Sequence, residues 1–227
     1  MNVTYTTIRS VKRKKLTITV ERDSSVVVLA PAGATDEAID HVVQSKREWL
    51  FAKLQHAPKY QDRPHAPGKE VVNGESALYL GREYQITLTS EATGGVIFNR
   101  AFLISQGGRL QTRKAFRNWY WSRANAIILP RVSRYANELG VTVAEAEIVD
   151  NRLRWGSCTA KNRIRLNWRL IKAPMSVIDY VIVHELAHLI EANHTPDFWN
   201  IVRAKLPGAE KSKAWLKAHG QLLEEEI

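Results

Sequence analysis

Leu16, Ile18 and Val20 alternate with Thr17 and Thr19, and Val26 to Leu29 is a short β-branched run beyond the polar turn Arg22 to Ser25. A period of two marks strands with one buried face, so residues 1 to 30 are expected to be β-structure. From Thr35 the period lengthens: Ile39, Val43, Leu50 and Leu54 form a helical stripe beside Trp49, with Thr35 as cap and Asp36 and Glu37 in the first turn. Residues 57–69, with three prolines and a glycine, read as a loop or linker. Short strands follow at 78–80, 84–88, 96–98 and 102–104, with turns at Gly81-Arg82, Gly94-Gly95 and Gly107-Gly108.

The second half changes character. Residues 111–139 carry the longest helical pattern, through Phe116, Tyr120, Ile127, Leu129, Val132, Tyr135 and Leu139. Pro130 is expected to kink or split it and Gly140 to end it. A strand is expected near 147–150. Residues 163–170 alternate strictly, with Ile164, Leu166, Trp168 and Leu170 on a buried face and Arg163, Arg165, Asn167 and Arg169 on a free, basic one. After Ala173-Pro174, Val177, Ile178, Val181, Ile182, Val183, Leu186, Ala187, Leu189 and Ile190 leave no polar face, the mark of a buried helix. Thr195-Pro196-Asp197 then starts a helix through Phe198, Ile201, Val202 and Leu206, and a last helix surrounds Trp215, Leu216, Leu222 and Leu223. The expectation is an α+β protein: a β-rich region with one helix at 1–110, then a helix-and-small-sheet domain at 111–227.

Composition adds bounds. With 44% hydrophobic and 25% charged residues among 227, the chain reads as an ordinary globular protein. No run approaches a membrane span and the N-terminus has no apolar signal core, so the cytoplasm is the expected location. The single cysteine, Cys158, excludes an intrachain disulfide and a cysteine-based metal cage. The net charge of +10 is concentrated: residues 100–172 hold fifteen Lys and Arg against Glu138, Glu145, Glu147 and Asp150. That excess suits nucleic acid or nucleotide phosphates, or simply a solvated face. The same two readings apply to the basic run Arg9 to Lys15.

The buried helix contains chemistry. His184 and His188 are four apart with Glu185 between them, so both imidazoles share a helix face while the carboxylate stands to one side. This H-E-x-x-H arrangement binds zinc through two neutral imidazoles and offers a general base to the metal's water. Burying these three side chains is costly unless a cation pairs with them. His194, six after His188, is the expected third ligand, provided the chain turns before it; Asn193 suits a left-handed turn. Glu191, seven after His184, is the rival. The spacing is that of metzincins, but Glu191 stands where they carry glycine. His41, His56, His65 and His219 are far off in sequence and read as surface residues.

R-W-G-S-C-T at 154–159, I-R-L-N-W-R-L at 164–170, A-P at 173–174, V-I-D-Y-V-I-V-H-E-L-A-H-L at 177–189 and N-H-T-P-D-F-W at 193–199 closely resemble the YgjP-like metallopeptidase family, itself similar to the SprT and WLM zincins. An R-S-V-K-R-K-K hairpin, the middle strands and K-A-W-L at 213–216 also fit. The resemblance implies a zincin-like second half with a backing helix, a small sheet and the metal helix. It implies His184, His188 and His194 as Zn2+ ligands and Glu185 as general base. SprT and WLM relatives cut proteins crosslinked to DNA, while some family members are described as nucleotide pyrophosphatases.

Three functions follow. The first is a zinc metallopeptidase acting on protein or peptide, with DNA association through residues 100–172. The second is a zinc-dependent nucleotide pyrophosphatase, with Arg163, Arg165 and Arg169 on the phosphates. The third is a nucleic-acid binding module with a structural metal, weakened because such a metal needs no glutamate at 185. In the peptidase, a strand edge at 154–158 or 164–170 would align the substrate, and Arg152, Arg154 and Tyr180 are candidates for holding the oxyanion.

Overall fold

The computed structural model describes residues 4–11, 13, 15–20, 26–55, 70–90, 92, 95–151 and 154–224. The turn at Arg22 to Ser25, the linker of 57–69, Gly94, Lys12, Lys14, His56, His65 and Arg152 lie outside these. Two compact units emerge, Met1–Pro64 and His65–Ile227, so the division falls at the proline-rich stretch and not at 110. The reason is packing: Phe102 and Ile104, at the end of the middle strands, share one core with the long helix that follows.

In the first unit, β1 (Tyr5–Ser10), β2 (Thr17–Val20) and β3 (Val26–Pro31) form a sheet in the order β1-β3-β2. β1 runs parallel to β3 and β2 antiparallel to it, so β1 and β2 are not the hairpin expected around R-S-V-K-R-K-K. Alternate residues Val26, Val28 and Ala30 pack with Ile39, Val43 and Leu50. Thr35 caps as expected, but the helical stripe is two helices, α1 (Asp36–Ser45) and α2 (Arg47–Gln55), broken at Lys46. Arg9 pairs with Asp36 at 2.5 Å, which places it in an ion pair within this unit.

The second unit opens with β4 (Ser76–Tyr79), β5 (Arg82–Thr89), β6 (Val96–Phe98) and β7 (Phe102–Ser105), ordered β4-β5-β7-β6. α3 (Arg109–Leu139) buries Phe116, Tyr120, Ala124, Ile128 and Val132, one residue per turn. Pro130 does not split it, because Ile128 and Val132 on either side are anchored in the core. Gly140 ends it in the left-handed conformation at φ 67°. β8 (Glu145–Val149), β9 (Gly156–Cys158) and β10 (Arg163–Asn167) make a sheet ordered β8-β10-β9. α4 (Met175–Ala187), α5 (Pro196–Lys205) and α6 (Ala209–Glu224) complete the chain. No helix among the described residues is long and apolar enough to cross a membrane.

Two junctions place α4. The Leu80 and Gly81 amides donate to the carbonyls of Ile171 and Lys172, at 3.0 and 2.9 Å. A Cβ on Gly81, whose φ is 80°, would stand 2.6 Å from Pro174 Cγ, so only glycine lets the strand turn lie against the start of α4. The second junction corrects the expected strand at 163–170. Alternation stops at Asn167, and Trp168–Lys172 is a buried 3₁₀ turn. Asn167 causes the change: its Oδ1 accepts from the Arg169 amide at 3.0 Å, and its Nδ2 donates to the Asn151 and Arg154 carbonyls. The basic face is not free. Arg163 pairs with Glu145 at 3.1 Å and Arg165 with Glu147 at 2.7 Å, while Arg169, 5% exposed, pairs with Asp150 at 2.5 Å.

Burial pushes the Asp150 carboxyl up, but the hydrogen-bonded Arg169 and the nearby Arg117 outweigh it and hold the carboxyl below its ordinary 3.8. Asp150 therefore stabilises the fold above the unfolded value, and that contribution is lost as pH falls through the lower, folded value. Asp150→Asn should melt below the wild type at neutral pH, with the gap closing under pH 3.8 as the wild-type carboxyl protonates. Calorimetry across that range checks it; a constant gap would refute the linkage.

Candidate metal centre

The largely apolar sequence of α4 buries every residue from Val177 to Val183, with His184, Glu185 and His188 at its C-terminal end. The helix stops at Ala187. The Leu189, Ile190 and Glu191 amides fold back onto the Leu186 and Ala187 carbonyls at 2.9–3.0 Å. The Glu191 carboxylate accepts from the Asn193 amide at 3.0 Å, and the Thr195 amide donates to the Asn193 carbonyl at 2.8 Å. This turn carries His194 back over the helix end. It does so without a left-handed Asn193: the non-glycine residues with positive φ among those described are Leu80, Arg100 and Asn162. The helix ends earlier than the sequence suggested, so ordinary turns suffice.

The result is convergence. His184 Nε2 and His194 Nε2 face each other at 3.1 Å, and each of the three histidines offers a nitrogen within 4.8 Å of the others. His188 Nδ1 lies 3.3 Å from the Glu191 carbonyl, a contact that orients the ring. Burial, then the neighbouring His188 and His194, pushes the His184 imidazole down to about 4. Neutral imidazoles share a proton at this distance or, where both nitrogens are unprotonated, need a cation between them. Metal–nitrogen bonds of about 2 Å leave ligand nitrogens roughly 3–4 Å apart, so these residues fit a small cation. Glu191, the rival ligand, spends its carboxylate on the turn.

α5 walls the cluster. Thr195 caps it by accepting from the Phe198 amide at 3.3 Å, with Pro196 in its first turn, and this entry presents Phe198 and Trp199 to the histidines. Phe198, fully buried, has its ring centre 4.6–4.9 Å from all three imidazoles, and Trp199 stacks on His194 at 5.7 Å. Tyr180, one turn before His184, lies 5.9 Å from its ring, and burial, with Glu210 and Glu185, pushes its hydroxyl up to about 12.

Glu185 is buried on the flank of the helix, against β9. The Cys158 amide donates to its carboxylate and Arg154 lies within electrostatic reach, yet burial prevails and pushes the carboxyl up to about 7. A dication at the histidines would draw it back toward the anion. β9 approaches this closely because residue 156 is glycine: a Cβ there would stand 2.7 Å from Glu185 Cγ and Oε1. Of the two strands expected to align a substrate, β9 lies at a sheet edge and β10 is paired on both sides. The Trp155 carbonyl and Thr159 amide bond to β10 and Ser157 opposes Arg165, so alternation turns the backbone groups of Gly156 and Cys158 outward.

Gly156→Ala should displace Glu185 while leaving the histidines in place. The expected result is about 10²-fold slower turnover with unchanged metal content. Wild-type turnover would show that the contact is immaterial.

The structure thus gathers His184, His188 and His194, with Glu185, Arg154 and Tyr180 beside them. Arg163, Arg165 and Arg169 are occupied by the carboxylates of Glu145, Glu147 and Asp150. His219 stacks on Trp215 within α6, and His41 belongs to the first unit. Gly156, Phe198, Trp199 and Lys213 were not singled out from sequence, although three blocks quoted above, R-W-G-S-C-T, N-H-T-P-D-F-W and K-A-W-L, contain them.

Residues 14–219 match the YgjP-like metallopeptidase domain. The chain belongs to the YgjP-like metallopeptidase family. No curated protein sequence matches it significantly. Two solved structures are similar in part. The metallopeptidase zymogen abylysin of Pyrococcus abyssi aligns with a TM-score of 0.38 at 20% identity, covering 44% of this chain and 100% of its own. Jannalysin of Methanocaldococcus jannaschii, also a zymogen, aligns with a TM-score of 0.37 at 25% identity, covering 42% and 96%. A YgjP-like metallopeptidase works with a metal ion on protein or peptide, and the three-imidazole cluster of this one could hold such an ion.

Proposed function

We propose that this YgjP-like metallopeptidase is a zinc enzyme that hydrolyses peptide bonds with His184, His188 and His194 as ligands and Glu185 as general base. The observation carrying the reading is the convergence of three imidazoles beside one buried carboxylate. Zinc held there would supply an acidified water and a Lewis acid for the scissile carbonyl. Glu185 takes the proton from the attacking water and passes it to the departing amine. The Cys158 amide fixes the carboxylate, and Gly156 gives it room. The outward groups that remain, on Gly156 and the Cys158 carbonyl, pair with an extended peptide added to the β9 edge. Phe198 keeps bulk water from the far side of the histidines.

The nucleotide reading assigned phosphate binding to Arg163, Arg165 and Arg169, whose pairing with Glu145, Glu147 and Asp150 counts against it. The charge of residues 100–172 supports association with nucleic acid, although Arg109, Arg117, Arg131 and Arg134 are also in ion pairs.

The test is to incubate the zinc-loaded protein and its Glu185→Ala variant with unfolded protein, single-stranded DNA and nucleoside triphosphates, and to identify the products by mass spectrometry. New peptides from the wild type alone are expected, and repeating the digest without DNA tests the association. Pyrophosphate with intact protein would replace this reading with the nucleotide hydrolase.

A further inference from the structure

Lys213 stands near the histidine cluster and Arg154 near Glu185, and the hydrolytic step described above uses neither. Lys213, on α6, holds its ammonium 4.1 Å from the centre of the Trp199 ring, which itself stacks on His194. Its one carboxylate neighbour among the described residues, Glu210, is 3.8 Å away, and both side chains are about half exposed, so that pair is weak. Arg154 lies just before β9, on the Glu185 side. It is exposed, makes no ion pair among the described residues, and its carbonyl is tied to Asn167 two residues before the Gly156 contact with Glu185. Lys213 acts electrostatically on His184 and His194, and Arg154 on Glu185.

Positive charge from Lys213 next to histidines suited to a dication is offset when a further anion joins them. An aromatic face that fixes an otherwise flexible lysine makes that arrangement persistent. Glu191, the nearest acid after Glu185 in sequence, is occupied in its turn.

We propose that Arg154 and Lys213 bracket the cleavage site and select peptides carrying Asp or Glu on both sides of the bond that is cut. The proposal rests on the peptidase reading and names its substrate class. A peptide lying along β9 would pass Arg154 with one flank, and its other flank would reach the Trp199–Lys213 face.

The test uses the zinc-loaded full chain and one peptide sequence with Glu, Gln or Lys at the residues flanking the scissile pair, including the mixed Glu/Lys and Lys/Glu forms. Competitive cleavage followed by mass spectrometry gives relative kcat/KM. The expected order is Glu over Gln over Lys, at about fivefold per cation. Lys213→Gln should erase the preference on one side of the bond and Arg154→Gln on the other, while Lys213→Arg retains it. Anisotropy of the same peptides, labelled, on the zinc-loaded Glu185→Gln variant should show the same order in affinity. Equal cleavage of all peptides, or a variant that slows every peptide alike, would overturn the selection while leaving the peptidase reading intact. Cleavage of none, with nucleoside triphosphate turned over instead, would overturn both and assign the two cations to phosphates.

Discussion

Glu185→Gln is expected to slow peptide hydrolysis by about 10²–10⁴-fold while the protein still binds metal in the wild-type ratio. Glutamine matches the buried carboxylate in shape, so it still fits against Gly156 and still accepts from the Cys158 amide. What it lacks is the ability to take up a proton and give it back. Elemental analysis beside turnover separates the two properties. Loss of metal together with activity would make Glu185 structural, and full activity would remove it from the mechanism.

The second large effect concerns the third ligand. His194→Ala should weaken zinc binding by at least about 10²-fold, more than loss of an outer hydrogen-bond partner usually costs. Glu191→Ala should change it less than tenfold, because that carboxylate holds the Asn193 amide and only steadies the turn. Competition with a chelator of known affinity measures both. The reverse ranking would move the metal from His194 to Glu191.

Much of this was legible in the chain because the signals are local. The cap at Thr35, the stop at Gly140 and the Thr195-Pro196-Asp197 entry are each decided within four residues, and each lies where expected. The shared face of His184 and His188, with Glu185 to one side, follows from helical periodicity alone. The errors arose where a distant partner decides. Strict alternation through Arg169 looked like a strand with a free basic face. The side chain of Asn167 ends that strand, and Asp150, nineteen residues before Arg169, draws the guanidinium inside. Pro130 looked like a breaker, yet the core residues around it keep α3 continuous. Gly156 carried no sign of its importance, because a glycine that makes room for another residue's carboxylate is defined by that neighbour and not by its own φ.

The three histidines lie within eleven consecutive residues, whereas Glu185 meets β9 across twenty-nine. Closing the shorter loop costs little chain entropy, so a molecule that has shed its sheet still has the means to grip the ion. Binding to such partly unfolded chains offsets the stabilisation that affinity for the native state would otherwise confer. With the proposed ligands, thermal inactivation and release of the ion are expected to separate: a chain heated until it no longer cuts should still carry metal.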